Sequence, residues 1–282
     1  MSNLLLRTIT GVVYVAAIVL CTGLSPISFV LLFALVTGLS VWEFSTLVNE
    51  HAGANVNRFI NTAAGVCLYL SITGFCMELT RSADFVPYLV TLIYLLISEL
   101  YRKQRDPLKN WGFAFASQLY IALPLSLLSV LAFRLDPFTN SIEFKWVYPL
   151  SVFIFLWTND TGAYVTGSLL HKRFPAKLFE RISPHKSWVG SIGGGVLCVV
   201  AAIILNACFQ GEMPLIHWIG LALTVCVFGT WGDLVESLLK RELGIKDSGN
   251  ILPGHGGMLD RFDSSLLAIP ASVLYLYFTG LH

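Results

Sequence analysis

The feature that most restricts what this chain can fold into is the recurrence of long apolar segments. Crossing about 30 Å of hydrocarbon takes ~20 mostly apolar residues, and nine segments meet that description. They are Thr8–Gly23, Ile27–Leu47, Phe59–Leu79, Phe85–Tyr101, Phe113–Phe133, Val147–Leu170, Val189–Phe209, Leu215–Leu239 and Ser265–Leu281. With 55% apolar and only 12% charged residues, and a mean hydropathy of +0.71, most of the chain has lipid as its solvent. The fold class this predicts is all-α, a polytopic transmembrane bundle of about nine spans. The first segment reads as a span and not as a secretory leader, because no small-residue cleavage site follows it.

Charge placement orients the bundle. With the N-terminus in the cytoplasm, the inner segments hold 15 of the 18 basic residues, in groups of one, one, four, five and four. The outer segments hold only Arg81, Arg134 and Lys145. That asymmetry is what the positive-inside rule demands. One integral membrane domain, residues 1–282, is the expected organisation, with N-terminal spans in 1–146 and a catalytic C-terminal half in 147–282. A net charge of +1 offers no basic surface for nucleic acid, which is excluded as a partner. The six cysteines sit inside apolar runs without metal-ligand spacing and read as small core hydrophobes.

Chemistry concentrates in two places. Gly232–Asp263 holds ten of the 35 charged residues (18 basic, 17 acidic), and the positive-inside rule gives no reason for its acids. Thr230, Asp233, Ser237 and Lys240/Arg241 fall on one face of a helix. Asp233 and Ser237, one turn apart, offer hard oxygen ligands, and Asp260 and Asp263 offer a second pair. Oxygen-only donors suit Mg²⁺ better than zinc or copper. Between the pairs, Pro253-Gly254-His255-Gly256-Gly257 can bring backbone amides close to an anion, or can simply be a turn. In the second place, Trp157–Tyr164 puts Asp160 inside an otherwise apolar segment, where an acid must face the bundle interior or water. A basic loop then leads to Ser183-Pro184-His185-Lys186-Ser187-Trp188-Val189-Gly190, followed by Gly193-Gly194-Gly195. Lys186 reads as a phosphate ligand, while the glycines either line an anion site at a helix start or allow close helix packing.

The run from Gly232-Asp233-Leu234-Val235-Glu236-Ser237 through Lys240-Arg241, Lys246-Asp247-Ser248-Gly249, Leu252–Gly257 and Asp260-Arg261 to Asp263-Ser264 resembles the signature of the phosphatidate cytidylyltransferases. Trp157–Gly167 and Ser183–Gly194 resemble further blocks of that family, although Val189 stands where its members commonly carry a glutamate. The resemblance implies CTP and phosphatidate as substrates. It implies that Asp233, Lys240, Arg241, Lys246, Asp247, Asp260 and Arg261 are catalytic, and that Asp160, Lys186, His255, Gly256 and Gly257 bind substrate. Asp233, Ser237, Asp260 and Asp263 are its implied Mg²⁺ ligands, with K⁺ a candidate second ion and a second copy of the chain a candidate partner. A bacterial inner membrane with the site facing the cytosol suits the chain. Two rivals stay open: a CTP-dependent kinase of a lipid alcohol, which would need a base, and an ion-coupled carrier, which leaves the Lys246–Gly257 loop unexplained.

Overall fold

A computed structural model describes residues 3–78, 82–102, 106–136, 139–170, 173–249, 251, 254 and 256–281. In chain order it has α1 (Asn3–Leu24), α2 (Pro26–His51), α3 (Arg58–Cys76), α4 (Val86–Ser98), α5 (Pro107–Ser117), α6 (Leu123–Ala132), β1 (Phe133–Asp136), β2 (Ser141–Phe144) and α7 (Val147–Leu170). There follow β3 (Lys177–Phe179), β4 (Ser183–Ser187), α8 (Trp188–Cys208), α9 (Leu215–Glu242), α10 (Leu259–Phe262) and α11 (Ser265–Phe278). A π-helical turn, Gln118–Ala122, joins α5 to α6. The protein is a polytopic helical membrane protein, as its apolar segments predict.

Local chemistry sets the helix ends. Ser25 is extended (φ −162°, ψ 158°) and its Oγ accepts from Ser28 N at 3.1 Å, while Pro26 pre-sets the first turn of α2. Asn57, Asp106 and Ser187 cap α3, α5 and α8 in the same way. Among the described residues, seven helical stretches are long and apolar enough to cross a membrane: Arg7–Leu24, Pro26–His51, Arg58–Cys76, Ala83–Tyr101, Pro107–Ala132, Trp188–Cys208 and Leu215–Glu242. Helix α7 has the length, but Thr158, Asn159, Asp160 and Thr161 make it too polar for that group. Helix α11 has only 14 residues, about 21 Å at 1.5 Å per residue. Two polar connections expected as plain loops form antiparallel hairpins instead, β1 with β2 and β3 with β4.

The chain gathers into two compact units, 1–147 with 242–262 and 148–241 with 263–282. In the first, α2, α3, α5 and α6 bury Phe29, Phe33, Val41, Val48, Ala64, Tyr69, Leu125 and Leu128. A polar knot sits among them: the Asn61 amide donates to Ser45 Oγ (2.9 Å) and Ser117 Oγ (2.8 Å) and accepts from Gln118 Nε2 (2.9 Å). Satisfying such groups within the bundle is the condition for placing them in hydrocarbon. Helix α4 leaves Leu89, Val90, Ile93 and Ile97 about half exposed, a face whose natural solvent is lipid. In the second unit, α7, α8, α9 and α11 pack around Val152, Phe155, Cys198, Ala202, Trp218, Ala222 and Val225.

Candidate active site

The second unit assembles a polar pocket of about 590 Å³. Helix α7 supplies Asn159 and Asp160, the β3–β4 hairpin supplies Lys177, His185 and Lys186, α8 supplies Gly190 and Ser191, and α9 supplies Thr230. The close approach of α7 and α8 depends on glycine. A Cβ at Gly194 would stand 2.3 Å from Asn159 Oδ1, and one at Gly193 2.1 Å from Thr166 Oγ1. For these two glycines the structure selects close packing from the two readings left open. Asn159 is held in turn by Cys226, whose Sγ donates to its Oδ1 at 3.0 Å.

On α9, Ser237 Oγ donates to Asp233 Oδ1 at 3.1 Å, the contact expected from their one-turn spacing. The other Asp233 oxygen lies 2.6 Å from Lys186 Nζ, so two residues 47 positions apart in sequence are brought together as an ion pair. Lys240 pairs with Glu236, which is fully buried on the next turn back. Arg241 is exposed. Asp263 is half-buried and accepts from Ser264 N at 2.5 Å. Desolvation, then the charge of Asp233, pushes its carboxyl up to about 7; Asp160 adds to the rise, and the Ser264 amide and Lys240 oppose it. Three carboxylates, Asp160, Asp233 and Asp263, therefore crowd one region, and Lys186 and Lys240 offset their charge only in part. Among the described residues no set of three or more His, Cys, Asp or Glu side chains is already disposed to hold a metal. The donor chemistry nonetheless fits one: Asp233, Ser237 and Asp263 present only hard oxygens, and their mutual repulsion is what a divalent cation would relieve.

The rest of the implied site belongs to the first unit. Lys246, Asp247 and Arg261 are exposed, whereas Ser248, Gly257 and Asp260 are buried. Asp260 Oδ2 accepts from Ser248 N (2.9 Å) and Gly257 N (2.8 Å), so the Gly257 amide is used within the loop and does not point at an anion. Gly256 is left-handed (φ +82°), and a Cβ there would stand 2.6 Å from Asp260 Oδ2. His255 lies outside the described residues. Sequence reasoning missed Glu43, whose buried carboxylate accepts from Met258 N at 2.8 Å, Leu259 N at 3.2 Å and the Ser248 hydroxyl. The signal was present, since Glu43 is the one charged residue in the apolar segment Ile27–Leu47.

Fold and site together define a polytopic helical membrane protein with cations and acids gathered at a polar pocket. The chain belongs to the cytidylyltransferase family, whose model matches residues 5–279. It is 31% identical to the phosphatidate cytidylyltransferase of Haemophilus influenzae over 96% of this chain and 98% of that protein. It is also similar to the proteins of the same name from Bacillus subtilis, 45% identical over 49% of each chain, and Staphylococcus haemolyticus, 46% identical over 44% of this chain and 46% of that one.

Proposed function

We propose that this chain transfers the cytidylyl group of CTP to phosphatidate. An ionised phosphate oxygen of the lipid attacks the α-phosphorus of CTP, the bond to the bridging oxygen breaks, and CDP-diacylglycerol and pyrophosphate result. The observation that carries this reading is the pairing of Lys186 with Asp233 at the polar pocket of the second unit, in a chain that a cytidylyltransferase relative matches along almost its whole length. A phosphate nucleophile, with a second pKa near ~6, is already mostly ionised at neutral pH and needs no strong base. What the reaction needs is two anions held together, by positioning and charge neutralisation.

Lys186 and Lys177 face the pocket and can neutralise phosphate there, Lys186 by exchanging its Asp233 partner for a phosphate oxygen. Asn159 and Thr230 offer further polar contacts. Asp233, Ser237 and Asp263 would hold Mg²⁺, and oxygen donors of this kind also accept K⁺. A bound divalent ion would supply charge neutralisation at the triphosphate. Asp260 we assign instead to holding its loop, because two amides already occupy one of its oxygens. The exposed cations Lys246 and Arg261 we assign, by their charge, to the anionic substrates.

Nine crossings with the N-terminus inside would put the loops after α7 and α9 in the cytosol of a bacterial cell, where CTP is. The Glu43 contacts support this count. They tie the C-terminal third of α2 to the loop after α9, and those points share a face only if α7 crosses along with α3, α4, α5–α6, α8 and α9. The deciding experiment incubates detergent-purified protein with labelled CTP, phosphatidate and Mg²⁺. CDP-diacylglycerol and pyrophosphate should both form, and Asp233→Asn should lower turnover about 100-fold or more. A phosphorylated lipid alcohol with release of CDP would overturn the assignment.

A further inference from the structure

An acid in a membrane-spanning helix must be matched by donors, and most such acids are matched by a neighbouring helix. Glu43 is matched by a loop. Its Oε2 accepts from Met258 N at 2.8 Å, and its Oε1 from Leu259 N at 3.2 Å and from the hydroxyl of Ser248. Met258 immediately precedes, and Leu259 opens, the short helix α10, whose first amides have no partner within the helix. Ser248 joins Glu43 to Asp260: its amide donates to Asp260 Oδ2 at 2.9 Å, and its Oγ accepts from Asp260 N at 3.3 Å. Glu43, Ser248 and Asp260 are all buried. The fit is close enough to dictate glycine at two further positions, since a Cβ at Gly257 would stand 1.9 Å from Glu43 Oε1 and one at Gly249 2.9 Å from Glu43 Cδ.

We propose that Glu43 is a positioning residue for the reaction: from α2 it fixes Ser248 and Met258–Asp260, and with them the flanking exposed cations Lys246 and Arg261 that the preceding section assigns to the substrates. The inference rests on that functional reading. Without Glu43, the amides of Met258 and Leu259, at the start of a helix whose Phe262 packs on Tyr14 of α1 and Phe33 of α2, would be left unsatisfied at membrane depth. The loop would then take up alternative arrangements.

Glu43→Gln keeps the size of the side chain but replaces one acceptor oxygen with a donor. In purified Glu43→Gln protein, hydrogen exchange at the amides of Met258 and Leu259 should speed up at least about tenfold, and kcat/KM for CTP should fall about tenfold or more. Val48→Ala, a fully buried position on the same helix, serves as comparator; it lowers thermal stability without changing kcat/KM. If Glu43→Gln does not accumulate in the membrane, Ser248→Ala removes only the shared hydroxyl and should shift both readouts the same way with smaller amplitude. Unchanged exchange at 258 and 259, or looser amides with unchanged kcat/KM, would overturn the proposal. So would a loss of kcat/KM that Val48→Ala reproduces. The exchange readout is independent of the reaction, so a wild-type chain that makes no CDP-diacylglycerol counts against the functional reading and not against the tether.

Discussion

Asp263 shows how much of this site is a problem of charge. It shares its surroundings with Asp233 and Asp160, and burial together with those neighbours raises its carboxyl from an ordinary value of 3.8 to about 7. A group that binds its proton more tightly folded than unfolded stabilises the fold at low pH. That contribution is lost as pH climbs toward and through the folded value. In EDTA, the thermal midpoint of the detergent-solubilised protein should therefore fall between pH 5.5 and 8, and Asp263→Asn should flatten the slope. Adding Mg²⁺ should raise the midpoint more at pH 8 than at pH 5.5, because cation and proton compete for the same oxygens. A midpoint that ignores Mg²⁺ at both pH values would remove these carboxylates as its ligands. The sequence made Asp233 and Asp263 visible through their spacing and density. It could not show that Lys186, read as a phosphate ligand, would be found on Asp233, because ion pairing across a chain separation of that size is decided by tertiary packing.

Helices were legible wherever apolarity was continuous, and less so where function interrupts it. The polar run in α7 disqualifies it on apolarity alone, although the helix runs unbroken from Val147 to Leu170. Gly193, Gly194 and Gly195 look equivalent in sequence but not in the fold. A Cβ at Gly194 would collide with Asn159, while at Gly195 the nearest atom is Cys226 Sγ at an ordinary 3.7 Å. Gly194→Ala should cost roughly 1–3 kcal/mol, lowering the melting temperature and disturbing Asn159 at the pocket, whereas Gly195→Ala should be tolerated. Equal melting temperatures for the two variants would mean that α7 and α8 do not depend on this contact. Glu43 escaped notice for a related reason: its partners lie more than 200 residues away, so only the general oddity of an acid in an apolar run announced it. Gly232–Asp263, continuous in sequence and in the resemblance, is divided between the two units, a split that no local pattern records.

At the scale of the whole molecule, the open quantity is the number of crossings, and the Glu43 tether makes it decidable. If α7 were not a crossing, five would separate the end of α2 from the end of α9, and those ends would face opposite sides of the membrane. The hydrogen bonds from Met258 and Leu259 to Glu43 argue against that arrangement. The positive-inside count favours the same parity. Single cysteines at exposed positions of a cysteine-free variant read it out: His51→Cys and Glu242→Cys at the two helix ends, and Gln210→Cys between α8 and α9. In right-side-out membrane vesicles an impermeant maleimide should label Gln210→Cys at once, and the other two only after permeabilisation. Labelling of His51→Cys and Glu242→Cys from opposite sides would mean that α7 does not cross, and the nine-span reading would fall. Labelling of both from outside would keep nine crossings but invert the protein, removing the pocket from cytosolic CTP and with it the proposed reaction.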